Sequence, residues 1–282
     1  MMDFLTPLFN PFLQHALIAA ILASFASGVI GSYVVVKRIV FISGSIAHSV
    51  LGGMGLFLWL KRVYGIDWLE PIYGAFLAAI LSALLIGWIS LRFKQRKDAV
   101  IASIWSTGMA VGVIFVSLTP GYNVELMNFL FGNILWITKT DLWLLLILDL
   151  FVLWVVGKNY FKFLAVCFDE EQAVLQGVHV ERTYLLLLSL VALSVVLLIE
   201  IIGVILVIAL LTLPPTIAGL FTRKLSKMMV FAVLLTIIFN VVGVFLSYQI
   251  NWPMGATIAL LVAAAYLFSL LVKNSVAIGQ KI

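Results

Sequence analysis

Few side chains in this sequence can bind a metal or move a proton, and His48 is the most prominent of them. It lies in the segment SIAHSVLGGMG, residues 45–55, between Ser45 and Ser49. Imidazole is a good ligand for zinc and other late divalent metals, so His48 is a candidate metal contact. The alternative is a buried structural histidine that bonds to a backbone carbonyl. No acidic residue or nucleophile-elbow sequence accompanies the two serines, so hydrolysis at this segment is not indicated.

Four other polar residues interrupt or flank apolar stretches: Asp149, Glu200, Asn240 and Asn251. Ionisable groups are costly inside a membrane and therefore count as functional candidates. Glu200 is either a pathway contact or the end of a helix at the water interface. Asp149 is expected to face a neighbouring helix.

Several catalytic motifs are missing from the sequence. It contains no G-x-x-x-x-G-K-[ST] phosphate loop, so ATP hydrolysis by that route is not expected. It contains no H-E-x-x-H and only one cysteine, Cys167, so a catalytic zinc site is unsupported. These absences favour translocation over catalysis, with no cofactor bound by the chain itself.

The composition identifies the environment that must position these residues. Of 282 residues, 64% are apolar and only 10% are charged. Soluble domains carry about 25% charged residues, so this chain is expected to reside in a lipid bilayer. We predict an all-α polytopic transmembrane bundle, because a lipid-exposed backbone must satisfy its polar groups within each segment. The nine apolar runs cover 12–36, 43–60, 68–91, 99–119, 141–157, 183–199, 201–221, 228–248 and 254–272.

Basic residues predict the orientation of these spans. With the N-terminus outside, all but three of the 17 Lys and Arg residues fall on the cytoplasmic side, the exceptions being Lys61, Arg62 and Lys139. The sixth and seventh runs meet at Glu200 without a loop, so eight crossings are an alternative to nine. We expect one transmembrane domain over residues 1–282 and no cleaved signal peptide.

Two breaks between spans stand out. The cytoplasmic stretch 158–182 contains a predicted short helix near 168–178, with Asp169, Glu170 and Glu171 in its first turn and Gly177 after its last. This helix is either a solvated surface element or a docking site for a partner. The outer segment 120–141, with Trp136, either lies along the membrane interface or lines a vestibule.

Small residues and prolines predict features inside the spans. Gly108 and Gly112 form a small-xxx-small pair, which favours close helix packing. Gly52, Gly53 and Gly55 follow His48 and serve either packing or a cavity. The pair Pro214–Pro215 predicts a break or kink in its span.

Six segments in order resemble the integral-membrane permeases of bacterial and archaeal ABC importers for zinc and manganese. Residues 45–55 are similar to the family's Ala-His-Ala/Ser segment, and 252–255, WPMG, fall on its P-x-G. Residues 203–219, GVILVIALLTLPPTIAG, resemble a G-x-x-L-x-x-x-L-L-x-x-P-x-x-x-A run. The remaining segments are 98–118, 126–135 and, at the family's coupling helix, 169–178.

The resemblance implies a set of partners and residue roles. Two copies of the chain would form the pathway, two separate cytoplasmic ATPase subunits would hydrolyse ATP, and an extracytoplasmic metal-binding protein would deliver zinc or manganese. The assembly would sit in the cytoplasmic (inner) membrane of a bacterium or archaeon, and no nucleic acid is expected. ATPase coupling would involve the coupling-helix residues Asp169, Glu170, Glu171, Gln176 and Gly177.

The pathway contacts implied by the resemblance are His48, Glu200 and Asn251, with His48 as the metal ligand. The sequence departs from the family at Gly44 and Asn251, where aspartates are usual. Carboxylate oxygens suit Mn²⁺ and imidazole suits zinc, so these departures slightly favour zinc. The alternative is that the cargo differs from the family's. A stand-alone secondary transporter or channel is the alternative function, and an intramembrane enzyme is the third.

Overall fold

The structure, a computed structural model, describes residues 11–93, 97–121, 129–132 and 137–279. Within these ranges all regular secondary structure is helical, which confirms the all-α prediction. The helices are α1 (Pro11–Val36), α2 (Val40–Tyr64), α3 (Pro71–Arg92), α4 (Lys97–Leu118), α5 (Lys139–Phe168), α6 (Glu170–Leu175), α7 (Val180–Phe221), α8 (Leu225–Ile250) and α9 (Met254–Gly279).

Eight of the described helices are long and apolar enough to cross a membrane. Their bounds follow the predicted spans closely at most positions. The largest difference at a helix end is in α5, which continues through Phe168 instead of ending at residue 157. The short α6 follows directly, so the polar stretch after residue 157 is mostly helical and not a loop.

Helix α7 is a transmembrane hairpin and contains both the sixth and the seventh predicted spans. A straight helix of its 42 residues would be about 63 Å long, twice the ~30 Å of a bilayer core. Both of its ends lie at the same end of the bundle. The first end, Val180, lies five residues after the end of α6. Just beyond the second end, Arg223 lines the same cavity as Asp169 and Gln172. Counting α7 as two crossings gives nine in the described chain.

The reversal in α7 occurs at Gly203, three residues beyond the boundary predicted at Glu200. Gly203 has φ 79° and ψ 158°, a conformation open almost only to glycine. Its backbone lies against Gly132 of the outer segment, where a side chain on either glycine would collide with the other backbone. The helix does not break at Pro214–Pro215, because α7 leaves helical conformation only at Gly203. A kink at the two prolines stays a prediction.

The α7 hairpin is the centre of the bundle. On one side it contacts α2 and α3, which pack together with α4. On the other side it contacts α1, α5, α8 and α9. Helices α1 and α7 are the most buried of the spanning helices, and α4 and α9 are among the least.

Part of the outer segment 120–141 falls outside the described residues, including Trp136. One described part of it, residues 129–132, lies against the reversal of α7, and Phe129 is buried there. Gly255 at the start of α9 also approaches Phe131 and Ile202. The outer end of the hairpin is therefore held by two other parts of the chain.

Substituting Gly203 by Ala is expected to destabilise the protein by at least about 2 kcal/mol, because the new Cβ forces a disallowed backbone conformation and meets Gly132. The matched control is Gly157→Ala in α5, where an added Cβ meets no atom within 4 Å. That control should gain about 0.5–1 kcal/mol from reduced chain entropy. Thermal unfolding in one detergent measures both variants, and equal midpoints would contradict the tight hairpin.

Candidate functional site

His48 lies on α2 and stacks on the indole of Trp105 from α4. The ring centroids are 4.4 Å apart and the ring planes differ by 16°. The His48 side chain is half-buried, and its Nδ1 is buried without a hydrogen-bond partner among the described residues. This nitrogen therefore does not make the bond to a backbone carbonyl that a structural histidine would make.

Glycines bring α2 and α4 close enough for this stacking. A Cβ atom on Gly52 would lie 2.9 Å from the carbonyl oxygen of Gly108, and one on Gly55 would lie 2.8 Å from that of Gly112. Small residues allow such backbone approach between membrane helices. The packing role predicted for Gly108 and Gly112 is thus confirmed.

Trp105 also occupies the space next to Gly44, where the resembling family usually has an aspartate. A Cβ on Gly44 would lie 3.3 Å from the Trp105 ring. A longer acidic side chain at this position would have to displace the indole. The Trp105 indole therefore fills the space next to Gly44, and it also covers one face of the His48 ring.

Glu200 lies three residues before the reversal of α7 at Gly203, and its side chain is exposed in the single chain. It lines a cavity of about 300 Å³ together with Glu70 at the start of α3 and with Val50 and Met54 of α2. Val50 and Met54 lie on a different face of α2 from His48, which faces α4. The structure therefore places Glu200 beside α2 without placing it beside His48.

Asn251 follows α8 and terminates that helix in a left-handed conformation, with φ 53°. Its side chain is exposed. The Ser247 hydroxyl donates to the Trp252 carbonyl at 2.6 Å, and this hydrogen bond holds the turn that contains Asn251. Among the described residues, no three His, Cys, Asp or Glu side chains come together as a metal site. The structure does not join His48, Glu200 and Asn251 into one such cluster.

Asp149 and Asn240, both noted in the sequence, are buried against α1. The Ala26 N–H donates to Asp149 Oδ1 at 3.0 Å, and Asn240 Nδ2 donates to the Ala20 carbonyl at 2.9 Å and to Ser24 Oγ at 3.0 Å. These bonds tie α5 and α8 to the central helix α1. The expectation that Asp149 faces a neighbouring helix is confirmed.

The predicted short cytoplasmic helix is present as α6. Asp169 is its N-cap, and its carboxylate accepts the Gln172 N–H at 3.0 Å. Gln176 is the C-cap, and Gly177 follows with φ 77°, the left-handed conformation predicted for it. The apolar residues Val174 and Leu175 are 60% and 86% exposed, although they lie outside the spanning helices.

A cavity of about 630 Å³ lies beside α6. One wall consists of the end of α5 and the residues Asp169, Gln172 and Gln176. The other wall consists of Arg223, Lys224 and neighbours in the loop between α7 and α8. In the sequence these two basic residues served only to predict orientation, because at least 46 residues of chain separate the two walls.

Comparisons with known proteins agree with this architecture. The ABC 3 transport family matches residues 10–273. A Chlamydia trachomatis "probable metal transport system membrane protein" is 46% identical over 275 residues, covering 98% of this chain and 94% of that protein. The manganese transport system membrane protein MntC of Halalkalibacterium halodurans is 31% identical over 262 residues, covering 92% and 87%.

Among solved structures, a chain of "PsaBC from Streptococcus pneumoniae in complex with Fab" has the same fold. It aligns with a TM-score of 0.81 and 28% identity, covering 95% of this chain and 93% of that one.

The bundle of apolar helices around a central hairpin, with eight described helices long enough to cross a membrane, defines a multi-pass membrane protein. Its match over nearly the whole length shows the group within that class. The chain belongs to the ABC 3 transport family.

Substituting Asp169 by Ala is expected to loosen α6 by about 1 kcal/mol, because the helix loses its N-cap acceptor. Asp169→Asn is the control, since asparagine caps equally well without a charge. Hydrogen–deuterium exchange of residues 170–176 measures the effect. Equal exchange in the two variants would show that the cap does not hold α6.

Proposed function

We infer that the chain is the membrane-spanning permease subunit of an ATP-binding-cassette importer for a divalent transition metal. The observation that carries this inference is the family match over residues 10–273, which reaches from the start of α1 into α9. The relatives named for metal and manganese transport support a metal as the cargo. The importer works in the cytoplasmic membrane of a bacterium or archaeon.

The proposed assembly contains two copies of this chain, two cytoplasmic ATPase subunits and an extracytoplasmic metal-binding protein. ATP is hydrolysed by the ATPase subunits, in keeping with the missing phosphate loop in this sequence. Copurification with a tagged ATPase encoded beside this gene, followed by ATP-dependent metal uptake into liposomes, tests the assembly. Uptake by the purified chain alone without ATP would instead identify a secondary transporter or channel.

The cargo is zinc or manganese. The imidazole of His48, and the loss of carboxylates at Gly44 and Asn251, favour zinc on ligand preference. The 31% identical manganese transport protein supports the other metal. Competition between zinc and manganese for uptake by the reconstituted importer decides between them.

His48 is the proposed metal contact in the pathway, and Glu200 and Asn251 are the lesser contacts. The buried, unpartnered Nδ1 of His48 supports a role beyond packing, because buried polar atoms are otherwise almost always bonded. A conduit needs only a weak site, since it must release what it binds. The cavity at Glu200 supports access to α2 from the outer side.

His48→Phe is expected to lower the initial rate of uptake at limiting metal at least about tenfold, because it removes both ring nitrogens. Phenylalanine keeps an aromatic ring against Trp105, so folding and ATPase binding should persist. His15→Phe, which removes the imidazole of α1, is the matched control and should leave uptake unchanged. Normal uptake by His48→Phe would return His48 to a packing role.

The segment Asp169–Gly177 is the proposed ATPase coupling element, in which Asp169, Glu170, Glu171, Gln176 and Gly177 have different tasks. Asp169, Gln176 and Gly177 shape the ends of α6. Glu170 pairs with Lys37, at 2.6 Å. Glu171 is exposed, and with the exposed Val174 and Leu175 it supports a docking surface for a protein partner.

Glu171→Lys is expected to weaken ATPase binding by roughly tenfold, because it reverses an exposed charge in the proposed interface without removing a cap. Asp67→Lys makes the same charge change in the loop between α2 and α3 at the other end of the bundle, and is the control. Binding titrations in detergent measure both affinities. Equal affinity would show that the carboxylate of Glu171 is only solvated.

A further inference from the structure

The turn between α1 and α2 fixes the direction of one lysine, Lys37. The Ile39 N–H donates to the Val34 carbonyl at 2.9 Å, and the Arg38 N–H donates to the Val35 carbonyl at 3.1 Å. This is a Schellman ending, in which the left-handed position is occupied by Arg38, with φ 58°. Glycine is usual at such a position, so the chain accepts some backbone strain to turn here.

Lys37 reaches from this turn to the coupling segment. Its Nζ donates to the Val166 carbonyl at 2.5 Å and to Glu170 Oε1 at 2.6 Å, and lies 5.8 Å from the centroid of the Tyr184 ring. The Lys37 side chain is only 13% exposed. An ammonium group so removed from water is stable only with partners, and all of these partners belong to elements around α6.

The contacts of Lys37 join four elements. Lys37 itself follows α1, Val166 lies in the last turn of α5, Glu170 begins α6 and Tyr184 lies in the first turns of α7. Helix α6 has only six residues, too few to be stable or rigid without support. Displacement of α6 must therefore either break the ion pair or carry the end of α1 with it.

Helix α1 is suited to pass on such a displacement. It contacts α5, α7 and α8 and is among the most buried spanning helices. Gly28 and Gly31 place its backbone directly against Val233 of α8 and Leu211 of α7. A well-packed contact of this kind transmits movement because it cannot be compressed.

We propose that Lys37 is a positioning residue that mechanically couples the α6 segment to the central helix α1, so that movement imposed on α6 reaches the pathway. The proposal rests on the proposed function, in which ATPase subunits move α6. An alternative role is a local ion pair that only stabilises the cytoplasmic end of the bundle. The two roles differ in the ratio of ATP hydrolysed to metal imported.

The test uses the complete importer in liposomes, with the ATPase subunits and the metal-loaded binding protein, and zinc and manganese as probes. Lys37→Met keeps the length of the side chain but removes its charge. We expect this variant to assemble with the ATPase while importing about tenfold less metal per ATP hydrolysed. Lys158→Met is the control, because Lys158 is an exposed cytoplasmic lysine over the Trp154 ring and should leave the ratio unchanged.

A charge exchange tests the pair directly. Lys37→Glu should lose coupling as Lys37→Met does, and Lys37→Glu combined with Glu170→Lys should restore most of it. Glu170→Gln, which removes the charge at nearly constant size, provides a second single variant if the exchange does not fold, and should also lower the ratio.

Two results would overturn the proposal. The first is an unchanged ratio in assembled Lys37→Met, and the second is a loss of import that only follows a loss of assembled complex. Failure of the unaltered chain to bind an ATPase or import metal would refute the proposed function instead, and the unaltered complex is measured in the same preparation.

Discussion

The absence of water from the bilayer core constrains this structure more than any single contact. A chain in lipid must satisfy its backbone hydrogen bonds within its own helices, so it can change direction only where protein covers the exposed groups. In α7 the change is confined to Gly203, and the outer segment covers it at Gly132. Because the reversal needs only one non-helical residue, the 42 residues of α7 cross the membrane twice without a loop. The resulting hairpin supplies the surface on which six other helices pack.

The hairpin also relates the two ends of the molecule. Glu200 and its cavity lie near the reversal, whereas the two ends of α7 lie beside α6 at the opposite end of the bundle. Helices α2, α3 and α4 carry His48 on one flank, and α1, α5, α8 and α9 form the other. Lys37, which follows α1, pairs with Glu170 at the start of α6. The α7 hairpin therefore links the cavity at Glu200 directly to the surface around α6.

Some parts of the site could be predicted from the sequence because they depend on local chemistry. The left-handed Gly177 follows from the preferences of helix ends, and His48 stands out because imidazoles are rare in apolar segments. Asp169 was expected in the first turn of the short helix and is instead its N-cap. The residues that contact them could not be predicted from the sequence. Trp105 lies 57 positions from His48, and no rule of sequence spacing predicts that Trp105 covers both His48 and Gly44. The same holds for Glu170, whose charge was assigned to docking but is held by Lys37.

The sequence by itself determined the environment, the helical class and nearly all of the spans, because the length of an apolar run acts over a short stretch of chain. It also predicts the orientation, from the placement of Lys and Arg. Tertiary structure decided where α7 reverses: the sequence indicated Glu200 and Pro214–Pro215, whereas the reversal lies at Gly203, against Gly132. It also decided that Asp149 and Asn240 bind α1 and that Lys37 binds α5 and α6. These choices depend on contacts between residues more than 70 positions apart, which only the packed helices bring together.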